Sequence, residues 1–383
     1  MIRKYLTQQQ YDDLDGKLNS NVDYVIVENG SPINVTFVTN NITGLDEMYD
    51  FAPTPEGTYN ITENGEYDVA AYASAYVDVP SGCEALEARY NSLFNNNITY
   101  LDNTYIPIGS RSVGYGLCFG NSYLLSIDLS SVTNIDDYAF YYCSNLTSVN
   151  LPDVTQVGAY CFQYCTSLTY IDLPSTTYIG KSAFFRDRNI VTAYLPSLNH
   201  IDSGEVFSNC DKLTSIDIQS LPDTSSKTFM GCHSLTTVNN TSVLAYVGLN
   251  AFDGCTNLTT IDMSGITHIW GSGFNKCSSL TTVNLPSIVD IGSSGYDAFR
   301  ECRSLTTVDL GPNIKYIYNR SFYNCSSLTS FTCRATTPPS LGAAAFNGTP
   351  ANLVIYVPAE SVDAYKAAKN WSTYADKIQT IVE

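Results

Sequence analysis

Apolar positions recur on a fixed schedule along residues 117–333. In "AFYYCSNLTSVNLPDVTQVGAYCFQYCTSLTYIDLP" (139–174), Phe140 is answered by Phe162, Cys143 by Cys165, Leu146 by Leu168 and Leu151 by Leu173, each 22 residues on. The phenylalanine slot continues through Phe184, Phe207, Phe229, Phe252, Phe274, Phe299, Phe322 and Phe346, and Cys118 fills it upstream. Intervals run from 22 to 25 residues, the longest carrying "IGSSGYDAF" (291–299). Each phenylalanine is followed by L-x-x-I-x-L, whose alternation spells one short strand per repeat. A second apolar pair follows, such as Val154 and Val157 or Ile288 and Ile291.

One repeat offers about six apolar side chains, each giving roughly 1.5–3 kcal/mol if fully buried. Ordering its backbone costs on the order of 1–2 kcal/mol per residue. A lone repeat cannot fold, whereas stacked copies cover one another's open faces. The pattern therefore predicts a β-rich solenoid of about ten coils, with parallel strands spaced about 4.8 Å apart. A chain of 383 residues would ordinarily suggest two or three domains, but a solenoid grows by stacking and escapes that prior.

Three residues after each phenylalanine lies a slot filled by Asn121, Cys143, Cys165, Asp187, Cys210, Cys232, Cys255, Cys277, Cys302 and Cys325. With the leucine ladder, this slot resembles the leucine-rich repeat consensus L-x-x-L-x-L-x-x-N/C-x-L. The resemblance is closest to the BspA-like subtype, roughly L-x-x-I-x-L-P-x-x-V-T-x-I-G-x-x-A-F-x-x-C. It implies a leucine-rich-repeat solenoid over 117–333, a C-terminal cap, and a part in adhesion or binding. Departures are local: Asp187 replaces Cys, Ala193 replaces the central Ile, and "DTSSKTF" (223–229) lacks the second apolar pair.

The flanks read differently. Residues 1–82 form a β-rich module for attachment or oligomerisation. Within it, "YLTQQQYDDLDGKL" (5–18) suits a short helix, with Thr7 and Gln10 placed as a capping box. Residues 22–40 suit a hairpin about Asn29, Gly30, Ser31 and Pro32. Residues 57–80, around Asn64-Gly65, resemble a small β module of phage and prophage tail or virion proteins. Residues 83–116 read as a helical linker and N-terminal cap, and 334–383 as a C-terminal cap. Within the latter, Val362, Tyr365, Ala368, Trp371, Tyr374 and Ile378 fit one amphipathic helix over 361–378.

The balance of 19 basic against 37 acidic residues gives a formal charge of −18. That excludes nucleic acid as a natural partner, since phosphates need clustered Lys and Arg. No run reaches the ~18 apolar residues of a membrane helix, so membrane insertion is not expected. Arg3 and Lys4 have no apolar stretch behind them, so no secretory signal is read and the thiols are expected to start reduced.

Two readings fit the 12 cysteines: a metal or disulfide framework, or a column of buried thiols capping backbone groups. Cys161-x3-Cys165 lacks nearby histidines, and the ladder position favours buried thiols. His200 and His268 share a slot three repeats apart, about 14 Å at the strand spacing, too far for one metal. No nucleophile elbow, H-E-x-x-H or phosphate loop is present, so neither an enzyme nor a cofactor is expected.

Two surfaces stand out as candidate sites. The outward strand position reads Asp128, Asn150, Asp172, Tyr194, Asp217, Asn239, Asp262, Asn284, Asp309. Alternation with neutral residues keeps like charges about 10 Å apart, near the screening length. It reads either as charge spacing on a solvated sheet or as a face for a cation or basic ligand through Asp128, Asp172, Asp217, Asp262 and Asp309. Threonines 147, 169, 214, 236, 259, 281, 306 and 329 beside it offer hydroxyls. Separately, Tyr138, Tyr141, Tyr142, Tyr160, Tyr164, Phe185 and Arg186 cluster around the Phe–Cys segments of consecutive repeats. Such residues are typical of contact hot spots, though packing against the N-terminal module also accounts for them. Tyr141, Tyr142, Tyr164, Phe185 and Arg186 are the candidate contacts.

The expectation is a non-enzymatic binding scaffold. The first reading is a bacteriophage virion protein, a fibre, decoration or receptor-binding protein, held to other virion proteins through residues 1–82, with a homotrimer as the candidate assembly. The alternative is a BspA-like adhesin on a bacterial cell surface. Either way, the partner is a protein or glycan on a host surface.

Overall fold

The computed structural model describes residues 2–6, 22–27, 35–38, 99–102, 111–114, 116–218, 221–239 and 241–382. The chain is a parallel-strand β-solenoid of stacked coils, and it divides into two compact units, Met1–Leu168 and Thr169–Glu383.

In the first unit, Val22–Val27 pairs antiparallel with Val35–Val38, as the hairpin pattern predicts. Ile2–Leu6 adds a third strand, parallel to Val22–Val27. Tyr5 and Leu6, which the sequence assigns to a helix, are therefore strand. The neighbouring Val22–Val27 offers a ladder of unpaired backbone groups, and pairing with it outweighs helical propensity. The remainder of the expected 5–18 helix, the 57–80 module and residues 83–98 of the expected linker lie outside the described residues.

Coils follow. Tyr100–Asp102, Ser126–Asp128 and Ser148–Asn150 stack in parallel register, with Leu101 opposite Ile127 and Ile127 opposite Val149. Ser112–Val113, Asn134–Ile135 and Gln156–Val157 form a second ladder. Within the stretch expected as a helical linker and N-terminal cap over 83–116, Tyr100–Asp102 and Ser112–Val113 are thus strands stacked on the first coils. Leu101 explains this: it is flanked by polar-side positions, as Ile127 is, and is fully buried.

In the second unit one ladder runs through Tyr170–Asp172, Thr192–Tyr194, Ser215–Asp217, Thr237–Asn239 and Thr260–Ile261. A further one joins Thr282–Leu285, Thr307–Leu310, Ser330–Cys333, Val354–Val357 and Ile378–Thr380. On another side of the coils, Tyr246–Val247, His268–Trp270, Asp290–Ser293, Tyr316–Ile317 and Ser340–Leu341 pair in turn.

The core is columnar. Phe140 and Phe162 stack at 5.2 Å in the first unit. In the second, Phe184, Phe207, Phe229, Phe252, Phe274, Phe299, Phe322 and Phe346 stack in sequence at 5.1–5.8 Å. The turn carrying each ring is also bonded coil to coil, as in Phe252 N–H to Gly273 O at 2.8 Å. Backbone polar groups are therefore satisfied on the turn side as well as in the strands. Where "DTSSKTF" lacks its apolar pair, buried Thr224 and Thr228 stand in, and Thr224 Oγ1 accepts the Gly248 N–H at 3.2 Å.

The amphipathic helix expected over 361–378 is shorter. A helix covers Val362–Ala367, Ala368 is extended, Asn370 is left-handed, and a 3-10 segment covers Trp371–Lys377. Two anchors break it. The buried Trp371 indole donates to Pro339 O at 2.8 Å, and Ile378 leaves the helix to pair with Ile355. Trp371 closes over Phe331 and Phe346, with ring centres at 6.5 and 6.2 Å.

Candidate functional site: a tyrosine array

Each coil turns back on itself through two left-handed residues flanking the phenylalanine. The second of these slots holds Gly120, Tyr142, Tyr164, Arg186, Asn209, Gly231, Gly254, Lys276, Glu301, Asn324 and Gly348, with φ between 57° and 81°. Glycine suits this conformation because it has no Cβ, and asparagine tolerates it. A tyrosine there costs roughly 1–2 kcal/mol of backbone strain. The first slot repeats the choice, with Tyr138 at φ 58° and Tyr160 at φ 57°.

These four tyrosines join Tyr141 and Phe119 in one array within the first unit. Phe119 stacks on Tyr141 at 4.8 Å and Tyr138 on Tyr160 at 4.7 Å. Tyr141 meets Tyr164 edge-on at 5.9 Å, and Tyr142 leans on Tyr164 at 5.5 Å. Tyr138 is buried and anchors the group, whereas Tyr142 is 53% exposed. Three sequence-selected residues, Tyr141, Tyr142 and Tyr164, are thus brought together. Phe119 was overlooked, although it occupies the Tyr141 slot one repeat earlier. In the second unit Arg186 lies over the Phe185 ring at 5.1 Å, a cation–π pair.

The aspartate column behaves otherwise. Asn150 Nδ2 donates to Asp128 Oδ1 at 2.9 Å, so the neutral residue bonds the acid as well as separating charges. Asp172 and Asp217 stand in register with Tyr194 and Asn239. Asp262 lies just past its strand, and its carboxylate accepts the Ser264 N–H at 2.9 Å. Asp309 is gripped by Arg334 at 2.9 and 2.7 Å. The carboxylates of Asp128, Asp262 and Asp309 are therefore already engaged. The threonine hydroxyls are engaged too: Thr147, Thr214, Thr236, Thr259 and Thr306 each donate to a carbonyl one coil back, as in Thr236 Oγ1 to Thr214 O at 3.0 Å.

The cysteine slot is structural. Each ladder thiol donates to the carbonyl of the phenylalanine slot in the coil before it, from Cys143 to Cys118 O at 3.0 Å through Cys325 to Phe299 O at 3.1 Å. Burial pushes the thiols at 210, 255, 277 and 302 up, and those at 232 and 325 to about 12. Burial thus favours the protonated thiol over the thiolate, the form that acts as nucleophile. Cys118 and Cys161, in the Phe and Ala slots, are buried filler. Among the described residues no three His, Cys, Asp or Glu side chains converge, and no helix is long and apolar enough to cross a membrane.

A period of 22 to 25 residues, an inward Leu/Ile ladder and a bonded cysteine slot define a leucine-rich-repeat protein. Its coils present surfaces. The family model for the BspA type leucine-rich repeat region matches in six copies over residues 88–214, 196–296 and 263–364. The chain belongs to that family. It is similar to a leucine-rich repeat protein from Bacteroides ovatus, at 22% identity over 87% of this chain and all of that one, with a TM-score of 0.39. A leucine-rich cell surface protein from Faecalibacterium prausnitzii matches at 17% identity over 88% of this chain and 96% of its own, with a TM-score of 0.40. The pneumococcal vaccine antigen PcpA matches at 18% over 67% and 79%, with a TM-score of 0.39. Comparison with curated proteins gives no match.

Proposed function

We propose that the chain is an adhesion protein displayed on a bacterial cell surface, which grips a protein partner through the tyrosine array of its first unit. One observation carries this: Tyr142 and Tyr164 occupy left-handed slots that glycine or asparagine fills in six of the other nine coils, and their rings converge with Tyr141 while Tyr142 stays largely solvated. Strain without burial returns nothing to the isolated chain, whereas exposed tyrosines are the currency of contact hot spots. Membership of a repeat family rather than a catalytic one supports a binding role. The feature specific to the virion reading, residues 57–80, lies outside the described part, and the family match does not favour a virion role over a bacterial surface one.

The test is adhesion of cells displaying the chain to a panel of immobilised host-surface proteins, with Tyr142→Asn and Tyr164→Asn introduced together. Asparagine already occupies the slot at Asn209 and Asn324, so the variant is expected to fold. Loss of about tenfold or more in affinity for whichever protein the parent binds supports the array. Equal binding by the folded variant would reject it.

A further inference from the structure

The turn that carries the tyrosine array holds a different combination of side chains in the second unit. The two positions after each phenylalanine slot include Tyr141-Tyr142 and Gln163-Tyr164 in the first unit. In the second they include Phe185-Arg186, and the first of the two is Arg300 on one coil and Tyr323 on the next. There the chain lays its own guanidinium on the rings of these slots. Arg186 lies over Phe185 at 5.1 Å, and Arg300 over Tyr323 at 5.7 Å. Both are cation–π pairs. This turn is therefore a place where the fold seats a guanidinium against an aromatic face.

Residues 112–168 carry the rings without a base. They contain four acidic side chains, Asp128, Asp136, Asp137 and Asp153, and no Lys, Arg or His. Two of the four border the array. Asp136 and Asp137 immediately precede Tyr138, and Asp137 Oδ1 accepts the N–H of Ala159, beside Tyr160, at 2.7 Å. Asp136 accepts the Ser112 hydroxyl at 3.1 Å. Burial, and after it the charge of Asp137 and Asp136, pushes the Cys161 thiol up, so their field reaches the turn between Tyr160 and Phe162.

A second observation lies at Gln163, in the slot of Tyr141. Its side chain is 9% exposed, and its amide oxygen accepts no hydrogen bond among the described residues. Its main chain is tied to the array: the carbonyl accepts Tyr142 N–H at 2.8 Å, and the N–H goes to Tyr160 O at 3.2 Å. A buried amide oxygen without a donor is costly. Met230 fills the same slot in the second unit with no such group to satisfy.

We infer that the tyrosine array seats an arginine of the partner protein, its guanidinium lying against Tyr142 and donating to Gln163 as the amide turns to meet it. The inference rests on the array being the contact site and names what that site selects. Aromatic faces, acidic surroundings and an acceptor lacking a donor each favour a planar cation with several N–H groups. A lysine brings the charge without the planar face, and an acidic group is repelled by Asp136 and Asp137.

Calorimetry on the intact protein uses otherwise identical Gly/Ser peptides carrying arginines, lysines or citrullines; citrulline keeps the shape of arginine and loses its charge. The arginine peptide should bind about threefold or more tighter than the lysine peptide, and the citrulline peptide should not bind measurably. A chain of charge −18 attracts any cation, so the deciding variants leave the charge unchanged. Gln163→Met, and separately Tyr142→Asn with Tyr164→Asn, should each weaken binding of the arginine peptide about fivefold or more. Gln163→Met should do so without lowering the melting temperature. Asp136→Asn with Asp137→Asn keeps both acceptors and should weaken binding by a smaller factor that disappears in high salt. If the tyrosine pair abolishes adhesion to a host protein while Gln163→Met leaves it intact and the arginine peptide does not compete, the array stands and the arginine does not. No arginine binding, equal affinity for citrulline, or full affinity in either charge-neutral variant likewise overturns the inference.

Discussion

Removing the Phe252 ring tests whether the coils hold one another. Phe252 is fully buried, with Phe229 at 5.3 Å on one side and Phe274 at 5.1 Å on the other. Truncation to alanine forfeits the transfer energy of the ring and leaves a cavity that a column bonded on every coil cannot collapse, about 3–5 kcal/mol in all. Because a solenoid's stability is a sum of neighbour terms, the deficit belongs to the two interfaces that Phe252 forms. Hydrogen exchange read by mass spectrometry should show lost protection between residues 229 and 274, with little change over Val354–Val357. A urea melt should lose its single cooperative step. If the alanine variant does not fold, Phe252→Leu should show the same local pattern at a cost below about 1.5 kcal/mol. A loss spread evenly along the unit, or one under about 1 kcal/mol in the alanine variant, would refute the reasoning.

Three further outcomes follow from the same geometry. Burial raises the Cys232 and Cys325 thiols from 9.0 to about 12, so unfolding releases their protons between those values. The stability they contribute is complete below pH 9 and is lost as pH rises towards 12; thermal melts should fall across that window and fall less in Cys232→Ala with Cys325→Ala. Asn150→Asp removes the 2.9 Å bond to Asp128 and sets two carboxylates side by side. It should cost about 1 kcal/mol, partly recovered in high salt, as a melt at two ionic strengths would show. Lys276→Gly relieves a left-handed residue at φ 59° in a slot that is glycine at 231 and 254; it should stabilise by about 0.5–1 kcal/mol in a denaturant titration.

Much of the fold was legible because the residues that make it recur. Phenylalanine, cysteine and leucine slots are each filled by one residue type in nearly every coil, and a type repeated at a fixed interval reports its own burial. The misreadings have a common cause in partners distant along the chain. Val362, Tyr365 and Trp371 keep helical spacing, but Trp371 is drawn to Pro339 and Ile378 to Ile355, so the helix stops at Ala367. Tyr5 and Leu6 fit a helix until Val22–Val27 supplies a strand partner. The threonines read as hydroxyls facing solvent, yet their donors are spent on carbonyls one coil back. Nothing local reveals those acceptors.

The left-handed slots explain why the candidate site was harder to read than the scaffold. A regular coil asks for glycine or asparagine at φ near 60°. Tyr142 and Tyr164 do not answer that request, so no scaffold term accounts for their identity. Arg186, Lys276 and Glu301 share the strained slot, which shows that strain alone does not define a site. What distinguishes the tyrosines is that several converge through ring contacts.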